Sequence, residues 1–198
     1  MIQINSIPIF VEDIFYFKLP NFKEYQKQIK KIISDEDNDF DEECNIRAQR
    51  TGWNSHAKYP VIKKVTEDIM NIIESFVKDT GYDVPKLEVE EAWVNWYGKD
   101  QHALPHKHNA VLSAVLFVDV EDSNGKFYFH ADKNFVLTKK EDSNTNYSNI
   151  RELTATNGTV VFFDGSIMHS VSPNLTDNTR ITLAMNFLPT YWGKRNDY

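Results

Sequence analysis

The sequence predicts a mainly β protein with flanking helices (α+β), an antiparallel sandwich with its helices packed on one outer sheet. Three observations predict it. Two one-faced helical stretches come early, at residues 21–33 and 60–79. From residue 87 onward the chain changes to short strand-like segments, and turn-rich pieces such as EDSNG, EDSNTNYSN, TNG and NLTDN separate them. Helices followed by a series of short strands fit layered β folds rather than alternating βαβ units.

Each element has its own reason. Residues 2–18 cluster Ile, Val, Phe and Tyr in strand fashion. Asn21 caps a helix whose Phe22, Tyr25, Ile29, Ile32 and Ile33 form one apolar stripe. In the second helix Pro60 suits the first turn, and Val61, Ile62, Val65, Ile69, Ile72, Ile73 and Phe76 recur at helical spacing until Gly81 stops it. The segments LEVEEAWVNWY, AVLSAVLFVDV, GKFYFHA, NFVLTKK, IRELTAT, GTVVFFDG and RITLAMNFL read as strands. No repeat, low-complexity tract or linker divides the chain. Residues 1–198 read as one domain, with helical support mainly at 20–80 and a β core at about 87–190.

Composition narrows the partners. The net charge is −7, from 29 acidic and 22 basic side chains, and the basic residues occur at most in short pairs such as Lys30-Lys31 and Lys63-Lys64. Such a surface repels polyanions, which argues against nucleic acid and acidic membranes. Cys44 stands alone in the acidic run DEDNDFDEEC, so no internal disulfide forms, and that run reads as a solvated loop. No stretch has the length of a bilayer span and no secretion signal is visible, so a cytoplasmic protein is expected.

The chemistry concentrates in the second half. In RITLAMNF, period-two alternation puts Arg180, Thr182, Ala184 and Asn186 on one face, with Ile181, Leu183, Met185 and Phe187 on the other. The apolar face suits the helices. The other carries a cation, a hydroxyl and an amide, and offers the lining of a polar cavity. Arginine's planar fork binds a carboxylate bidentately, and Thr182 adds a hydroxyl donor. Upstream, His106 and His108 project to one side if their segment is extended, and His169 follows a buried strand and a tight turn. Neutral imidazole is the commonest metal ligand. In AWVNWYG, Trp93, Asn95 and Tyr97 share a face on the strand leading toward the histidines. His56 and His102 lie in loop-like sequence and read as exposed.

In order, Gly52-Trp53-Asn54-Ser55, His106-Lys107-His108 with Ser113, His169, and Arg180-Ile181-Thr182 resemble the pattern of the iron(II)- and 2-oxoglutarate-dependent oxygenases. Within that superfamily they are similar to a group common in phages and bacteria that carries H-x-H. The resemblance runs from about Arg50 to Phe187. It implies a double-stranded β-helix, or jelly roll. It further implies Fe(II) held by His106, His108 and His169, and 2-oxoglutarate gripped at its far carboxylate by Arg180 and Thr182, with Asn95 or Tyr97 also on the cosubstrate. No catalytic side chain beyond the metal centre is implied. The expected outcome is hydroxylation of a small molecule or protein side chain with release of succinate and CO2, in the host cytoplasm if the gene is a phage's.

The pattern departs from the superfamily's usual His-x-Asp or His-x-Glu. His108 takes the carboxylate's place, or another group fills that position, or a carboxylate arrives from elsewhere. His130-Ala131-Asp132 is a literal His-x-Asp. Four strands must fit before the distal histidine, needing on the order of 30–45 residues. The 39 positions (169 − 130) from His130 are tight, and the 63 (169 − 106) from His106 are comfortable. Two readings stand beside the main one: a three-histidine cupin-type dioxygenase that needs no 2-oxoglutarate, and a non-catalytic jelly-roll binding module. The aromatic Tyr191 and Trp192 could pack on the roll or meet a partner.

Overall fold

The structure, a computed structural model, describes residues 13–35, 45–80, 85–121, 124–131 and 150–190. Strand β1 (Phe15–Lys18) precedes helix α1 (Phe22–Asp35), and the short strands β2 (Ile46–Arg47) and β3 (Gln49–Arg50) lead to helices α2 (Ser55–Lys58) and α3 (Pro60–Thr80). Eight further strands follow: β4 (Leu87–Tyr97), β5 (His102–His106), β6 (Leu112–Asp119), β7 (Phe127–His130), β8 (Ile150–Leu153), β9 (Thr159–Asp164), β10 (Met168–Val171) and β11 (Arg180–Pro189). They form two antiparallel sheets, a larger one in the order β1-β9-β6-β11-β4-β3 and a smaller one in the order β2-β5-β10-β7-β8.

The period-two pattern decides what each face meets. Ile181, Leu183, Met185 and Phe187 of β11 join Ala92, Val94 and Trp96 of β4 and Ala114, Leu116 and Val118 of β6 on the outer face of the larger sheet. They pack on Ile29 and Ile32 of α1 and Ile62, Val65, Ile69 and Ile73 of α3, as the apolar stripes require. Burying each such side chain stabilises the fold by about 1.5–3 kcal/mol. The inner face carries Trp93, Tyr97, Val115, Phe117, Val161, Phe163 and Ala184, which meet Ile46, Ala103, Phe127, Phe129 and Val171 of the smaller sheet. One sheet thus supports the helices with one face and encloses the site with the other.

Differences from expectation are local. The chain around the first two histidines is not one extended piece, because β5 ends at His106 and His108 lies in the connection to β6. His102 begins β5 and is half-buried, and His56 is half-buried on α2, so neither is a solvated loop residue. The short pieces β2, β3 and α2 lack enough residues to show periodicity. Residues 2–12, Cys44, Asp132, NFVLTKK and the aromatics Tyr191 and Trp192 lie outside the described residues.

Candidate functional site

His106 closes β5 and pairs in register with His169 of β10, so the antiparallel ladder sets two imidazoles from distant parts of the chain side by side. Four strands, β6 to β9, come between them among the described residues. His108 reaches the same place from the loop after β5, and the three rings sit 4.4, 4.9 and 5.1 Å apart between centroids. One ligand nitrogen from each lies within 4.8 Å of the other two. Phe127 stacks on His169 at 5.5 Å, Phe163 meets it edge-on at 5.0 Å, and Trp93 stands 5.7 Å from His108.

Burial acts on the protonation of all three. His106 falls below its ordinary value through desolvation, and His108 is pushed down to about 4 by desolvation and then by His106. His169, which is 3% exposed, falls well below the usual imidazole range for the same reasons, burial first. At neutral pH the cluster is therefore uncharged and rich in lone pairs. His106 Nδ1 donates to Leu104 O at 2.6 Å and His169 Nδ1 donates to Ile167 O at 3.0 Å. Carbonyls at Nδ1 fix the tautomer, orient the ring and leave Nε2 unprotonated, the arrangement found at metal-ligating histidines. The Nε2 atoms of His108 and His169 are 3.1 Å apart, close enough either to share a proton or to flank one small cation. The donor set fits a divalent transition metal of the iron-to-zinc series.

The loop bearing His108 is held from below by a glycine. His108 N donates to Gly165 O at 2.8 Å, and a Cβ at Gly165 would lie 2.3 Å from the carbonyl oxygen of Ala110. That approach excludes any side chain at position 165.

Arg180 lies on the same inner face of β11, 2% exposed. Its Nη1 donates to Gly125 O, while Nε and Nη2 have no partner among the described residues. Burial pushes its guanidinium down to about 10, so it remains charged at neutral pH. An uncompensated buried cation is costly, and here it lines a cavity with Phe117, Gly125, Lys126, Phe127 and Leu153. Phe127 thus touches both the cavity and His169. Glu121 lines the cavity as well but bonds Asn178 rather than the guanidinium, so a small anion would partner Nε and Nη2. Thr182 and Asn95 face each other across β11 and β4, both buried, and Asn95 Oδ1 also lacks a partner among the described residues. Tyr97 lies opposite Arg180 in the same register.

His130 does not join the cluster. It pairs with Met168, its Nε2 bonds Ser170 Oγ at 2.7 Å, and alternation turns both to the face opposite His169. Two residues that the sequence reading passed over stand at the site's edge: Gly165, and Glu91, which bonds Asn186 at 2.9 Å. Glu91 shares the parity of Trp93, Asn95 and Tyr97, so alternation carried two residues further would have found it. Nothing in the local sequence marks Gly165.

The family model described as "Putative 2OG-Fe(II) oxygenase" matches residues 91–186, a span that holds the three histidines, Arg180, Thr182, Asn95 and Tyr97. No curated protein matches by sequence. Among solved structures, HygX from Streptomyces hygroscopicus with nickel, 2-oxoglutarate and hygromycin B bound is similar at a TM-score of 0.65 and 15% identity, over 93% of this chain and 86% of that one. A Pseudomonas putida prolyl-4-hydroxylase is similar at 0.64 and 12%, over 90% and 93%. The α-ketoglutarate-dependent epimerase SnoN from nogalamycin biosynthesis is similar at 0.68 and 12%, over 90% and 79%. At these identities the likeness establishes the shared double-stranded β-helix fold.

Proposed function

Because this chain belongs to the iron(II)- and 2-oxoglutarate-dependent oxygenases, we propose that His106 and His169 hold its metal, with His108 at the third position of the centre, and that Arg180 grips the far carboxylate of 2-oxoglutarate. The observation that carries the reading is the presence, between the two sheets, of a neutral three-imidazole cluster and a buried, half-unpartnered guanidinium. We read residues 1–198 as one oxygenase domain, since the helices pack on the sheet whose other face lines the site.

In this family the metal, with 2-oxoglutarate and oxygen, supplies the oxidising power that takes a hydrogen atom from a C–H bond, releasing succinate and CO2. The chain's own residues do the rest. His106 and His169 present Nε2 lone pairs already oriented by Leu104 and Ile167, and His108 stands at the third corner. Arg180 offers Nε and Nη2 to a carboxylate, with Thr182 beside it on the strand to add a hydroxyl. Charge-assisted bonds in a dry pocket are strong, so this end fixes where the other end of the diacid lies. Asn95 and Tyr97 line the same face and can hold the cosubstrate's middle. Phe127, Phe163 and Trp93 keep water from the cluster. The substrate is a small molecule or a protein side chain, in the cytoplasm, and the acidic chain disfavours nucleic acid. Among the described residues no helix is long and apolar enough to cross a membrane.

The three-imidazole set supports a second reading, a cupin-type dioxygenase in which Arg180 anchors a carboxylate of the substrate itself. Succinate formed per oxygen consumed separates the two. The main reading expects a ratio near one with 2-oxoglutarate present. Oxygen uptake without succinate supports the second reading.

A further inference from the structure

The register of β11 places three polar side chains in one row beside His108. Asn186 lies opposite Glu91 of β4 on one side and Ser113 of β6 on the other. Ser113 Oγ donates to Asn186 Oδ1 at 2.9 Å, and Asn186 Nδ2 donates to Glu91 Oε2 at 2.9 Å. An ionised carboxylate only accepts, so these partners settle which end of the amide is NH2. The same Nδ2 stands 3.3 Å from His108 Nδ1. An amide N–H directed at an imidazole nitrogen needs a lone pair there, and a neutral imidazole has one lone pair and one N–H. The proton of His108 therefore lies on Nε2.

That N–H faces His169 Nε2 at 3.1 Å, and the proton of His169 lies on Nδ1, given to Ile167 O. Every donor in the row meets an acceptor. The three imidazoles are thus unequal: His106 and His169 turn lone pairs inward, whereas His108 turns an N–H inward.

We propose that Asn186, locked by Glu91 and Ser113, is a positioning residue that keeps His108 a hydrogen-bond donor at the third corner of the site, leaving His106 and His169 as the two protein ligands. This rests on the metal-centre reading above. The N–H of His108 suits a carbonyl or anionic oxygen of a small molecule bound in that corner. For His108 to ligate through Nε2 its proton must move to Nδ1, where it would confront the amide N–H of Asn186. The departure from His-x-Asp is then a change of role, from ligand to donor, and Glu91 is the carboxylate that enforces it at one remove.

Co(II) is the probe, because its affinity and visible spectrum report ligand number without turnover. Wild-type protein is expected to bind it. His106→Ala and His169→Ala are expected to lower the affinity by about 100-fold or more, and His108→Ala by about threefold or less, since only the first two remove a bond to the metal. The paired change Glu91→Gln with Asn186→Asp reverses the polarity of the row. The carboxylate now at position 186 accepts from His108 Nδ1–H, and Nε2 gains a lone pair. Co(II) affinity is expected to rise by about 10- to 100-fold, the range over which such outer partners tune metal sites, with an altered visible spectrum. Adding His108→Ala to that pair is expected to abolish the gain.

Imidazole 15N shifts of wild-type, metal-free protein read the tautomers with no substitution at all, and are expected to show Nε2–H for His108 and Nδ1–H for His106 and His169. Nδ1–H on His108 would overturn the proposal. So would a loss on His108→Ala as large as that on His106→Ala, or a paired variant with a native melt and no gain. A wild-type protein that binds no Co(II) would remove the metal centre itself, and this proposal with it.

Discussion

Arg180 brings a full positive charge to a place where one carbonyl is its only bonded partner among the described residues. Such a residue weakens the empty fold and strengthens the bound one, so its two roles separate on substitution. Arg180→Met keeps the volume and removes the unpaired charge. The metal-free variant is expected to melt at or above the wild-type temperature, because replacing a poorly paired buried ion by an apolar side chain is commonly neutral or stabilising. Its affinity for 2-oxoglutarate is expected to fall by about 10- to 100-fold, from the loss of charge-assisted bonds of about 1.5–3 kcal/mol. Differential scanning fluorimetry and titration of the cosubstrate check the two halves. The position of Arg180 was legible because one strand's alternation sorts cation, hydroxyl and amide onto one face. What Arg180 lacks was not legible, since an unpartnered atom is a property of the surroundings.

At the scale of elements, β11 was readable in full because it is long and its two faces differ in chemistry. Removing part of its outer face tests that assignment. Leu183→Ala is expected to cost about 2–5 kcal/mol in urea unfolding, the usual range for a fully buried leucine, because Leu183 sits under the helices with no exposure. The connection from β5 to β6 was less legible. Alternation would put His106 and His108 on one side of an extended chain, whereas the chain leaves the ladder after His106 and His108 is returned by backbone bonds to Gly165. Contacts of that kind join segments some 57 positions apart (165 − 108) and leave no local pattern. Gly165→Ala is expected to displace the loop and shift the imidazole 15N signals of His108, while metal affinity falls by about threefold or less, as for His108→Ala. It is expected to leave helix content by circular dichroism unchanged.

Across the whole molecule, the two sheets and the helical layer follow from composition and order, since one-faced helices need a flat apolar partner and, among the described residues, the larger sheet offers it. Convergence of His106 and His169 depends on which strands pair, which the sequence specifies through the entire topology rather than nearby. Metal binding should then be felt globally. At a hundredfold excess over its dissociation constant, a divalent metal is expected to stabilise the fold by about 2.7 kcal/mol. A chelator should reverse the resulting rise in melting temperature.

The central claim is that two distant imidazoles and a buried guanidinium together hold iron and 2-oxoglutarate. Its most direct test is anaerobic titration of the protein with Fe(II) and then 2-oxoglutarate, watched in the visible spectrum. A weak charge-transfer band that appears only when both are present, and is lost in His169→Ala, is the expected result. Metal-loaded, folded protein that shows no such band at saturating 2-oxoglutarate would contradict the account.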